Sequence, residues 1–128
     1  MSKFCIFSEV KGVVLDRGKP LAGATIERHY AWSWRKEKGT DSVETDAQGH
    51  FFMPAIFRSS FLGKILPHQP FIEQTLIIKH NDREYVAWTF DKLDYEENSE
   101  LNGKLFSLTC DLQKKASRKG GFFGVCDI

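Results

Sequence analysis

Gly12-Val13-Val14-Leu15-Asp16-Arg17-Gly18-Lys19-Pro20-Leu21-Ala22-Gly23-Ala24-Thr25-Ile26 joins two extended segments through a turn. A short β-branched run from Val10 to Leu15 is stopped by Asp16, Gly18 and Pro20, which are turn residues. A second extended segment then starts near Ala24 and runs to about Trp34. Ala24, Ile26, Tyr30, Trp32 and Trp34 share one parity, so a continuous strand sets them on one face. Arg28 interrupts that face and predicts a bulge, or a strand that outruns its core.

The same grammar continues outward. Lys36 to Asp41 reads as a polar loop and Ser42 to Thr45 as a short strand. Asp46-Ala47-Gln48-Gly49 reads as a tight turn, with Gly49 free to take positive φ, and His50 to Met53 as the second arm of a hairpin. Ile72, Leu76 and Ile78 alternate, His80-Asn81-Asp82-Arg83 is a hairpin turn, and Val86, Trp88 and Phe90 form the return arm. Asp91 to Asn102 is acidic and reads as a solvated loop. Phe106, Leu108, Cys110 and Leu112 give the cleanest alternation in the chain.

These segments predict an all-β, seven-stranded Greek-key sandwich over residues 9–112. Residues 1–8 form a lead-in, and residues 113–128 a basic, Gly-rich tail. Residues 55–70 form a long apolar insertion between hairpins, with Phe57, Phe61, Leu62, Ile65 and Leu66 broken by Gly63, Pro67 and Pro70. A short helix or an apolar loop fits it, packed as a flap or exposed as a partner site; both stay open.

Composition narrows the function classes. In 128 residues the net charge is +1 and the apolar fraction 41%, which suits one globular domain and gives no field for a nucleic-acid binder. No run approaches the length of a membrane helix, and no signal-peptide pattern opens the chain, so a cytoplasmic protein without membrane insertion is expected. Cys5, Cys110 and Cys126 are odd in number and widely spaced, so free thiols are expected, with Cys126 the exposed one. His29, His50, His68 and His80 have no metal-ligand spacing. No catalytic residue, cofactor or metal site is assigned.

The quoted stretch resembles the opening of carboxypeptidase-regulatory-like, or transthyretin-like, sandwich domains. Thr45-Asp46-Ala47-Gln48-Gly49-His50-Phe51 resembles the hairpin of the same family at its usual separation. The resemblance implies a mostly non-catalytic docking module: an adaptor, chaperone or immunity-type partner. By analogy with cargo-docking members it implies a setting such as type VI secretion, with a secreted effector or secretion component as partner. The hydrolase branch of the family carries a C-terminal Tyr-Arg-Gly-Ser motif, whereas this chain ends Phe123-Gly124-Val125-Cys126-Asp127-Ile128. Related Gram-positive domains form a Lys–Asn or Lys–Asp crosslink between first and last strands. Asp111 lies on the polar parity, so no crosslink to Lys11 is expected.

Two stretches stand out for partner binding. Arg28 to Lys36 mixes aromatic and basic side chains, which suits a protein hot spot, a sugar platform or a core-facing row. The apolar insertion is the second. The expected partner-binding residues are Trp32, Trp34, Phe57, Arg58, Phe61 and Leu62; self-association is compatible with them. The alternatives are a hydrolase-type or small-ligand site, which needs the histidines gathered in space, and a carbohydrate module, which needs an exposed indole.

Overall fold

The structure is a computed structural model that describes residues 3–59 and 65–128. Each segment read as extended is a strand, but the described residues hold thirteen strands, not seven. The chain runs β1 (Lys3–Phe7), β2 (Val10–Asp16), β3 (Lys19–Pro20), β4 (Thr25–Trp32), β5 (Glu37–Glu44), β6 (His50–Met53) and β7 (Ile56–Ser59). It continues through β8 (Ile72–His80), β9 (Arg83–Lys92), a 3-10 turn at Ser99–Leu101, β10 (Phe106–Asp111), β11 (Ser117–Lys119), β12 (Phe122–Gly124) and β13 (Cys126–Asp127).

Two main sheets share one core, and the architecture is sandwich-like. The larger has the order β11-β12-β9-β8-β4-β5 and is antiparallel throughout. The smaller has the order β13-β10-β2-β3, with β6 also on β2. Its β2 and β10 run parallel, joining the two ends of the chain. β1 and β7 form a separate antiparallel ribbon. Trp88 of the larger sheet packs against Phe106 of the smaller at 4.5 Å between ring centroids, and against Phe122 at 4.2 Å.

The lead-in and the tail belong to this core. Phe4, Ile6 and Phe7 are buried on β1, and Phe122, Val125 and Cys126 are buried near the C-terminus. In sequence the tail looks separate because its lysines and glycines dilute the apolar signal; only every second residue of so short a strand needs to face inward.

Cys110 and Cys126 stand opposite each other on β10 and β13 and form a disulfide. This corrects the expectation of free thiols and of an exposed Cys126, because strand pairing places them side by side across sixteen residues of sequence. Cys5 is free and buried.

Asp46 Oδ1 accepts the amide N–H groups of Gln48 and His50, and Gly49 takes φ 78°, so the expected turn is present. Its arms do not pair as a hairpin: β5 lies in the larger sheet, and β6 pairs β2 in the smaller. The turn carries the chain between sheets. Asn81 and Asp82 both take positive φ, as a type I′ two-residue hairpin turn requires.

Arg28 produces no bulge. β4 keeps one register along both neighbours, and the Arg28 side chain is buried with donors satisfied by both Asp41 oxygens and the Pro54 carbonyl. The register shift falls between β8 and β9, where Leu76 opposes Trp88 and Ile77 opposes Val86. It sets Ala87 aside and places Tyr85 and Trp88 on one face.

The acidic stretch 91–102 is not simply solvated. Lys92, Glu100 and Leu101 are buried. Asp111 accepts the backbone amides of Arg17, Gly18 and Gln113, so its carboxylate is occupied in turn capping, and Lys11 makes no bond to it.

Candidate functional site

The end of the larger sheet where β4 turns into β5 gathers most of the expected partner-binding residues. Most of the expected loop at 36–41 is strand, from Glu37 on, and the turn is Ser33–Lys36, closed by the Lys36 amide on the Ser33 carbonyl at 3.2 Å. Trp34 therefore sits in a turn tip, half-buried, and stacks on His68 at 4.3 Å between ring centroids.

Trp32 is corrected to a core residue. It is 1% exposed because it ends β4 on the inward parity. Its indole N–H donates to the Tyr95 hydroxyl at 2.9 Å, and Phe4 stacks on Tyr95 at 4.2 Å. An indole so enclosed offers no platform to a sugar ring or a partner. The Tyr95 hydroxyl lies 2.7 Å from His68 Nε2, while His68 Nδ1 lies 3.0 Å from the Leu66 carbonyl. Those distances fit one chain of donors: Trp32 to Tyr95, Tyr95 to His68, His68 to backbone. The chain anchors residues 66–68 to the core.

Arg58 comes from β7. Its Nε donates to Glu37 at 3.0 Å and its terminal nitrogen to the Tyr30 hydroxyl at 3.0 Å. Tyr30 also donates to Glu37. Burial works to raise the Glu37 pKa, but the bonds from Tyr30 and Arg58 and the charge of Arg58 hold it below the usual carboxylate value. Gly39 is required here: a Cβ at that position would lie 2.4 Å from the Tyr30 ring. Tyr30 lies across the bare backbone of β5 and brings its hydroxyl to the ion pair.

Exposed apolar groups lie at this end: Phe57 in the groove with Tyr30 and Arg58, and Ile65 and Leu66 beside His68. Phe57 is 37% exposed, Ile65 56% and Leu66 44%. Phe61 and Leu62 lie outside the described residues. His68, Tyr95 and the backbone at Cys5, whose amide donates to Tyr95, were missed from sequence. Tyr95 lies in a stretch whose five carboxylates mask it; a lone aromatic among so many charges is the one signal the sequence offers.

The histidines do not converge. His29 bonds Glu27 on the outer face of β4, His50 opposes Val13 on β6, and His80 precedes the β8–β9 turn. Among the described residues no group of three or more His, Cys, Asp or Glu is placed to hold a metal ion. No helix among them is long and apolar enough to cross a membrane.

A second polar cluster is internal. Glu100 accepts the Ser8 amide at 2.9 Å, the Ser8 hydroxyl at 2.6 Å and the Gln74 amide at 2.8 Å, and pairs with Lys92 at 3.2 Å. Burial pushes the Glu100 pKa up, but Lys92 and these bonds outweigh it and keep the group below its ordinary value. With Gln74 also donating to the Ile6 carbonyl, the cluster fastens β1, β8, β9 and the 3-10 turn together.

The family model described as "Domain of unknown function (DUF6795)" matches residues 10–115, and the chain belongs to that family. No curated protein matches the sequence. Among solved structures, the catechol 1,2-dioxygenase from Acinetobacter sp. ADP1, inhibited by bound mercury, is similar with a TM-score of 0.42 at 14% identity. The match covers 94% of this chain and 50% of that one, so the chain spans about half its length. That similarity is too remote to carry fold or chemistry across.

Proposed function

For this DUF6795 chain we propose a non-catalytic protein-docking role, as an adaptor, chaperone or immunity-type partner, exercised at the β4–β5 turn. One observation carries the reading: at this end Tyr30, Glu37, Arg58, Tyr95 and His68 bond one another, and large apolar side chains are exposed beside them, rimmed by the exposed Ser33, Arg35 and Lys36 of the turn. Arg58, Glu37 and Tyr30 form a closed set, and Trp32, Tyr95 and His68 form another. Leu66, Ile65, Phe57 and the Trp34 ring are left as contact surface, the residue types that dominate protein interfaces.

We further read the sandwich as transthyretin-like, in a seven-stranded Greek-key arrangement to which the shorter strands are additions. Two placements support this: the first motif spans β2, β3 and the start of β4, and the second spans the β5–β6 turn. A secretion-linked setting follows from that family alone.

The test is affinity capture from the source lysate with the wild type and with Leu66→Asp, both shown to be folded, followed by reconstitution from purified components. A protein that binds the wild type directly and is lost by the variant supports docking here. Recovery of nothing by either, together with a small metabolite that raises the melting temperature, would replace docking with ligand binding.

A further inference from the structure

We propose that the free edge of β5 accepts an extended, acidic segment of the partner protein as an added strand. This deepens the docking reading and rests on it. β5 pairs β4 along its whole length, and among the described residues no strand pairs its other edge. β7 pairs only β1. The two bare edges border one groove of about 460 Å³, lined by Tyr30, Gly39, Asp41, Ile56, Phe57 and Arg58.

Sheet edges are commonly protected by inward-pointing charges. That protection is cancelled here: Glu37 is neutralised by Arg58, and Asp41 by the buried Arg28 at 2.6 Å. Gly39 presents no side chain, and the Tyr30 ring fills the space on its inner face. The groove is therefore close to neutral and partly apolar, which suits every second side chain of an extended segment.

Charge selects the rest of the occupant. Lys38 lies on the opposite face of β5 from Gly39, and Lys3 holds its ammonium 5.9 Å from the Phe57 ring centre. Neither makes an ion pair among the described residues. Carboxylates on the incoming strand would meet both. A second copy of this chain fits poorly, because antiparallel pairing of β5 with itself over its full length sets Glu37 opposite Glu44 at both ends.

The experiment selects displayed random linear peptides on the intact chain, then maps the best binder by hydrogen exchange. Strand addition expects peptides that alternate apolar and acidic residues and that protect amides within Glu37–Glu44. Lys38→Glu and Lys3→Glu should each weaken such a peptide by about two- to fivefold, the range of cross-strand charge pairs, while the fold persists. Binders that instead protect residues around Trp34 and Leu66 would overturn strand addition and leave docking standing. Binders indifferent to both charge reversals, an absence of binders, or concentration-dependent self-pairing through β5 would also overturn it.

Discussion

Glu100 and Lys92 are opposite charges in a place without water, and each is tolerable only because of the other. Removing one partner of such a pair typically costs about 3–5 kcal/mol, whereas replacing both with apolar groups of similar size is often close to neutral. Lys92→Met is therefore expected to lower the unfolding free energy by that amount in urea titration. Lys92→Met with Glu100→Leu should recover much of it, although Ser8 and Gln74 then lose their acceptor. The pH dependence has a definite sign. The folded-state pKa of Glu100 lies below its ordinary value, so its stabilisation is fully present above about pH 4.3, the unfolded carboxylate value. It is lost as pH falls through the folded pKa, and the melting temperature should drop over that acidic range. The cysteines give a second test at this scale. Burial pushes the Cys5 thiol pKa up and Cys110 is bonded to Cys126, so the native protein should not react with a thiol reagent. The denatured, unreduced chain should show one thiol, and the reduced, denatured chain three. Three thiols without reduction would contradict the disulfide. Neither the pair nor the bridge was legible in sequence: Lys92 and Glu100 look like surface charges, and cysteine spacing says nothing about which strands become neighbours.

At the scale of elements, alternation predicted well wherever one face is apolar. β4, β8 and β10 were legible because Ile26, Tyr30, Trp32, Leu76, Ile78, Phe106 and Leu108 repeat every second residue. β5 was half missed. Its inward positions carry Glu37, Gly39 and Asp41, which read as loop until Arg58, Tyr30 and Arg28 are seen to satisfy them. The Gly39–Tyr30 contact makes a sharp prediction. Gly39→Ala puts a methyl 2.4 Å from the edge of the Tyr30 ring and should destabilise by about 1–3 kcal/mol, as overpacking does, read as a lower urea midpoint. Tyr30→Leu in the same chain should relieve part of that loss. If Gly39→Ala is as stable as the wild type, Tyr30 does not lie over β5.

For the whole molecule, the sequence suggested one sandwich with loose ends, and the structure closes both ends into it. β2 and β10 run side by side, so the first and last thirds of the chain share a sheet. Truncation after Leu112 would remove Phe122, Val125 and Cys126 from the core and expose Trp88, which stacks on Phe122. The truncated chain should lose cooperative thermal unfolding and its near-ultraviolet circular dichroism; a retained sharp transition would make the tail dispensable. The candidate site was legible as residue types, since Trp34, Phe57 and Arg58 do gather at one end. Its depth was not, because whether Trp32 or Trp34 faces outward depends on where the strand stops and the turn begins. In the proposed role this end docks a protein through its apolar surface. That role is tested most directly by measuring the dissociation constant of the reconstituted complex for the wild type and for Trp34→Ala, with melting temperature as the control for folding. Binding by Trp34→Ala should be weaker by about thirtyfold, the loss of about 2 kcal/mol expected of an aromatic hot spot. An unchanged constant in a folded Trp34→Ala variant would contradict it.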